Sequence, residues 1–193
     1  MADLTFYFDP LCPWAWRTSL WVREVQKVEA LDVEWKVFSL SEAHRGDDPL
    51  AAENAQSDAA LRAVIAARRT GGNDAVDRLF LALGRARHDR RENLTDEGVI
   101  EAALEEAGLD RGLLRQALDD PTTDDEVKKE HRGAVDKYDA FGVPWLVLSG
   151  QRIGFFGPVI DQVPTGEAAA ELWRHTSWMI QQPYLYELKR ERA

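Results

Sequence analysis

The sequence predicts an α/β domain carrying an all-helical insert, and three observations lead there. A short aromatic strand, Leu4–Phe8, is followed by a helical pattern and a second strand, Val33–Val37. From residue 49 to residue 120 only apolar stripes at helical spacing occur, with no strand pattern. A hairpin pattern from Trp145 to Phe156 then precedes a final helix. The order is β-α-β, helical insert, α-β-β-α. Residues 1–48 and 121–193 form the α/β part, and residues 49–120 form the insert.

Each element has its own warrant. Leu4-Thr5-Phe6-Tyr7-Phe8 is short, apolar and ended by Asp9-Pro10, as a buried strand should be. The helix after it starts at Pro13, the first-turn position where a missing N–H costs nothing, and runs to about Ala30. Val33-Glu34-Trp35-Lys36-Val37 alternates apolar with polar, giving a strand parallel to the first across a right-handed crossover. Four stripes fill the insert. Leu61, Val64 and Ile65 end at Gly71-Gly72; Val76, Leu79, Phe80 and Leu83 follow, with Asn73 as a cap. Val99, Ile100, Ala103 and Leu104 make the third, and Leu113, Leu114, Ala117 and Leu118 the fourth. Thr123-Asp124-Asp125-Glu126 has the spacing of a capping box and opens a helix that stops near Phe141-Gly142. Trp145–Leu148 and Arg152–Phe156 pair through a Ser149-Gly150 turn. The last helix runs from about Gly166 to Gln181.

Composition narrows the function. Of 193 residues, 45% are hydrophobic, enough for a packed core. A net charge of -10 argues against nucleic acid and anionic membrane as partners. No apolar run reaches the ~18 residues of a membrane span. Met1-Ala2-Asp3-Leu4 enters a strand at once, without the basic and apolar regions of a secretory signal. A single cysteine excludes an internal disulfide and a cysteine-based zinc site, and a cytoplasmic, reducing setting is the expectation. No His/Asp/Glu spacing predicts a metal, and no glycine-rich phosphate cradle predicts a bound nucleotide. Monomer and homodimer both stay open.

That cysteine is Cys12, and its position points to chemistry. As the N-cap of the first helix, its sulfur lies over free N–H groups and the positive end of the dipole, which favour a thiolate. Thiols so placed can fall from about 8.5 into the range of about 3.5–7.5. A dithiol oxidoreductase would carry its second cysteine at position 15; this chain has Ala15. Cys12 can attack, but the thiol that releases it must come from outside. The alternative is a structural cysteine, the usual fate of a free one. A Pro-flanked strand-to-helix junction favours the nucleophile.

Phe8-Asp9-Pro10-Leu11-Cys12-Pro13-Trp14-Ala15-Trp16 also carries a family likeness. A Cys-Pro-aromatic turn between first strand and first helix resembles the thioredoxin superfamily. The helical insertion is similar to its DsbA-like branch. The whole nonapeptide, with Phe155-Phe156-Gly157-Pro158 and Tyr186-Glu187-Leu188-Lys189-Arg190, resembles the actinobacterial mycothiol-dependent nitroreductase group. The resemblance implies a thioredoxin fold with a DsbA-like insert. It also implies a thiol-dependent oxidoreductase using mycothiol, or another small thiol, as co-substrate on disulfides or electrophilic small molecules. No tightly bound cofactor is expected. It implies a cis peptide at Val143–Pro144, beside the thiol, with Val143 offering backbone groups to the ligand. Pro13, Trp14, Phe156 and Pro158 would line the same pocket. The departure at Ala15 leaves a monothiol cycle through a mixed disulfide on Cys12.

Other residues have two readings. Trp14 is equally a ligand wall or core, and Trp145 reads as packing. His131, on an apolar helix face, is a core histidine or a proton relay for Cys12. His44 and His88 fall in polar stretches and read as solvated, and the run Arg85, Arg87, Arg90, Arg91 as a wet face. Two rival functions remain. A kappa-type glutathione transferase or isomerase would use a hydroxyl where Cys12 stands and would add a thiol to an electrophile. A non-catalytic thioredoxin-fold binding protein would take a modification on Cys12 and never recycle it.

Overall fold

A computed structural model describes residues 2–44 and 55–190 of the chain. The start of the insert, expected at residue 49, lies outside the described residues. Four strands form one sheet in the order β2-β1-β3-β4: β1 (Leu4–Phe8), β2 (Val33–Val37), β3 (Trp145–Leu148) and β4 (Phe155–Phe156). β1 is central. It runs parallel to β2, Leu4 opposite Val33 and Phe8 opposite Val37, and antiparallel to β3, Leu4 opposite Leu148 and Tyr7 opposite Trp145. Its side chains alternate between two buried faces. Phe8 stacks on Phe80 with ring centroids 3.8 Å apart, and Phe6 meets Trp35 at 5.0 Å. Tyr7 points the other way, 6.3 Å from Tyr138.

Seven helices surround the sheet among the described residues: α1 (Pro13–Val28), α2 (Leu40–Ala43), α3 (Asp58–Gly84), α4 (Glu97–Glu106), α5 (Gly112–Asp119), α6 (Thr122–Tyr138) and α7 (Gly166–Ile180). α1 packs along α7, where the Trp21 indole N–H donates to the Ala169 carbonyl at 3.0 Å. α3 also contacts α1 through Trp16 and Phe80, ring centroids 6.4 Å apart. The outer edge of β2 would otherwise present free backbone groups. Side chains close it. Asn73 accepts from Trp35 N–H at 2.8 Å and donates to Val33 O at 2.8 Å; Glu130 accepts from Val37 N–H at 2.9 Å. Arg68, paired with Glu130, donates to Trp35 O at 3.2 Å.

Several expectations change. Asn73 caps no helix; it serves the β2 edge, and its two stripes abut in α3 across a kink at Gly71 and Gly72, with Gly72 at φ +66°. Helix α6 begins at Thr122, two residues before the start that a Thr123 cap would set, and the capping box does not form. Thr123 instead donates its hydroxyl to Ala117 O and Asp120 O at 2.8 Å, while the Asp120 carboxylate accepts from Thr122 N–H at 2.9 Å. The strand expected from Arg152 shrinks to Phe155–Phe156, because Gly154 turns its N–H to Tyr138 O and packs against the Trp145 indole, where any side chain would collide. Arg85 and Arg87 sit on a single π-helical turn, Arg85–Asp89, that extends α3, and Arg90 and Arg91 follow it.

Candidate functional site

Cys12 is the N-cap of α1, with φ -75° and ψ 113°. The extended backbone follows from Asp9, whose carbonyl accepts the Cys12 N–H at 3.0 Å and tightens the turn leaving β1. Pro13 takes the first helical position and is exposed. Sγ then faces the free end of the helix and accepts the Ala15 N–H at 3.4 Å, the N-cap contact to the third helical residue. On its other side the thiol donates to the Val143 carbonyl at 3.2 Å. The two contacts favour opposite protonation states: the amide N–H holds a thiolate, and the carbonyl holds the S–H. Cys12 is 7% exposed. Ala15 is fully buried, so only a methyl group stands where a second thiol would be.

The Val143–Pro144 and Gly157–Pro158 peptides are both cis. Gly157 donates its N–H to Pro144 O at 3.0 Å, which sets the exit of β4 beside Val143–Pro144. The structure therefore brings Cys12, Val143, Pro144 and Phe156 to one end of the sheet. Pro158 is turned toward α1, its carbonyl accepting the Thr18 hydroxyl at 2.7 Å. Trp14 is half-buried against the core. His131 is buried on α6 with its ring 4.5 Å from Phe38, whose N–H reaches Phe8 O at 2.8 Å. Trp145 is buried, as packing requires, but its indole N–H has no acceptor among the described residues.

Three residues have a part in the site that their sequence context does not assign them. Asp9 is fully buried just before the thiol turn. Its carboxylate accepts from Leu11 N–H, Leu40 N–H and the Ser57 hydroxyl, each at 2.9 Å, and so ties the thiol turn to α2 and to the entry of α3. Burial pushes its pKa up to about 6, with the Asp58 charge adding a little, against three hydrogen bonds that pull it down. His88 is not solvated. Its ring stacks on Trp16 with centroids 6.1 Å apart, and Nε2 lies 2.9 Å from Pro10 O. Burial depresses its pKa more than that hydrogen bond raises it, which keeps the imidazole neutral. Phe141, which reads as a helix stop, is 69% exposed beside Phe156. The turn signature Asp-Pro-Leu could have flagged Asp9, since an aspartate commonly bonds the N–H two residues on; nothing local marks His88. Among the described residues no three His, Cys, Asp or Glu side chains converge as a metal site, and no helix is long and apolar enough to cross a membrane.

A thiol at the start of the helix after β1, on a four-stranded sheet with a helical layer between β2 and β3, defines a DsbA-like protein of the thioredoxin superfamily. Residues 11–190 match the Rv2466c-like family, described as mycothiol-dependent nitroreductase Rv2466c, and the chain belongs to that family. It is 35% identical over 196 residues to the uncharacterised protein Rv2286c of Mycobacterium tuberculosis, a match spanning 100% of this chain and 84% of that one. Among solved structures it is similar to SCO1869 of Streptomyces coelicolor, described as a probable DsbA oxidoreductase. There the TM-score is 0.65 at 19% identity, covering 100% of this chain and 95% of that one. It is also similar to the cytosolic disulfide reductase DsbM of Pseudomonas aeruginosa, solved with GSH. That TM-score is 0.62 at 18% identity, covering 91% and 98% of the two chains. Family and fold together make the protein a thiol-dependent oxidoreductase.

Proposed function

We propose that the protein is a monothiol oxidoreductase in which Cys12 forms a mixed disulfide with a small thiol, mycothiol by family. The observation that carries this reading is the Cys12 sulfur held between Ala15 N–H and Val143 O, with no other cysteine in the chain. The Cys12 thiolate attacks a disulfide RS–SR; the new Cys12–S–S–R bond forms as the old S–S bond breaks, and RS⁻ leaves. A free thiolate R′S⁻ then attacks the R-bearing sulfur, giving R′S–SR and regenerating the Cys12 thiolate. Helix α1 stabilises the anion in both steps. Val143 and Pro144 present the strand edge along which an extended thiol ligand pairs its backbone, and Pro13, Trp14, Phe156 and Pro158 flank it. His131 is the proton carrier of this reading, a buried imidazole on the helix that leads to Val143. Residues 49–120 act as one inserted helical subdomain over the α/β part, and the chain works in the cytoplasm.

Intact-mass measurement tests the cycle. Incubation with mycothiol disulfide adds one mycothiol to the chain, and free mycothiol then removes it; Cys12→Ser acquires none. A Cys12 that stays unmodified at neutral pH overturns the proposal.

A further inference from the structure

The loop that delivers Val143 to the thiol also carries an exposed aromatic stack. Phe141 lies two residues before Val143, so its Cα is at most about 7.6 Å from that of the residue touching Sγ. Its ring stacks on Phe156 with centroids 5.3 Å apart and planes 29° apart, and meets the Trp145 ring edge-on at 5.1 Å. Yet Phe141 is 69% exposed, and Ile153 on the hairpin is 64% exposed. A contiguous exposed apolar patch marks an interaction or ligand-binding site, and the Phe141–Phe156–Trp145 cluster is contiguous. The Trp145 indole that Phe141 meets is itself buried, its N–H edge packed against Gly154, so the exposed stack stands on a fixed base.

We propose that Phe141, with Phe156 behind it, is the specificity-determining residue of the thiol site, giving a flat shelf for the aromatic half of a disulfide. This rests on Cys12 being the nucleophile. The reaction selected is the first step above with an aryl group on the leaving sulfur: Cys12–S⁻ takes one sulfur of the aryl disulfide, and the aryl thiolate departs with the electron pair. A ring stacked on Phe141 holds the S–S bond in line with Sγ, whereas an alkyl disulfide gains nothing from the shelf. Offset stacking of two rings gives a factor of about 2–12 in rate.

Single-turnover rates of Cys12 modification by 5,5′-dithiobis(2-nitrobenzoate) and by bis(2-hydroxyethyl) disulfide test the shelf on the full chain. In Phe141→Ala the aryl-to-alkyl rate ratio falls about threefold to tenfold. In Phe141→Leu, which keeps an apolar side chain of similar bulk, it falls comparably, and in Phe141→Trp it holds or rises. Circular dichroism confirms that each variant is folded. A ratio unchanged in Phe141→Ala and Phe141→Leu, with Cys12 still reacting, overturns the shelf and leaves the monothiol cycle standing. A wild-type Cys12 that reacts with neither disulfide overturns both.

Discussion

Replacing Asp9 by asparagine isolates the cost of keeping a carboxylate inside this fold. The folded-state pKa of about 6 stands above the ordinary aspartate value of 3.8, because burial outweighs the three donors from Leu11, Leu40 and Ser57. Between those two values the folded chain binds more protons at this site than the unfolded chain. Stability from Asp9 is therefore greatest at low pH and is lost as pH rises toward 6. A rise of that size corresponds to about 3 kcal/mol at neutral pH, of which about 2 kcal/mol develops between about pH 4 and pH 7. The Asp9→Asn variant carries no such pH dependence. Its amide nitrogen replaces one acceptor oxygen and opposes Leu11 N–H in one orientation, or Leu40 N–H and the Ser57 hydroxyl in the other, a cost of about 1–3 kcal/mol that the variant bears at every pH. The expected result is a convergence or a crossing. Asp9→Asn is less stable than wild type near pH 4 and gains on it by about 2 kcal/mol by pH 7. Urea denaturation of both proteins at matched pH reads the difference, in which all other titrating groups cancel. A difference flat from pH 4 to pH 7 refutes the reasoning, since it would mean that the carboxylate is as easily ionised in the fold as in the open chain.

Two further substitutions probe the thiol helix. Ala15→Cys supplies the resolving thiol that the chain lacks, so a mild oxidant joins Cys12 to the introduced thiol and thiol titration falls from two groups to none. The mycothiol adduct on Cys12 then fails to accumulate, and persistence of the adduct counts against the geometry at Ala15. Gly84→Ala separates helix propensity from packing at the end of α3. Propensity alone would stabilise the helix by about 1 kcal/mol. A Cβ at Gly84 would overlap the Trp16 ring, so the net effect is destabilisation, with overpacking costing about 1–3 kcal/mol. A rise in the urea midpoint would reverse that assignment.

How far the fold could be read from sequence depended on whether a signal was local. β1 and β2 were legible to the residue, because aromatic and alternating patterns five residues long state their own burial. Helices α4 and α5 likewise follow their apolar stripes. Asn73 and Thr123 misled for one shared reason. Both are residue types that cap helices, and both were drawn to partners far along the chain: Asn73 to the β2 edge, and Thr123 to Arg62, which donates to its hydroxyl at 2.9 Å. Side-chain hydrogen bonding explains their placement, but sequence spacing cannot say which backbone group will compete for them. The truncated β4 was set by Gly154 against the Trp145 indole, a contact between residues whose neighbours pair across the hairpin.

The site divides along the same line, and the division says what kind of residue a motif can disclose. Cys12 and Pro13 were readable because the N-cap position, the proline and the helix they open are consecutive. Asp9 stands only three positions earlier, but its function is to join segments. Its three donors lie 2, 31 and 48 residues away, and only the first of these is a local pattern. A carboxylate that bore only the first contact would sit more cheaply in solvent. The other two draw it inward, and the burial they impose is what raises its pKa toward neutrality. The same contacts that hold the thiol turn against α2 and the entry of α3 thus make their own strength depend on pH. Protonation turns an acceptor of three hydrogen bonds into a group that also carries a donor, so the ionised form holds the three donors best yet bears the desolvation cost, and because that cost is the larger, the joint between the Cys12 turn and the insert weakens as Asp9 ionises.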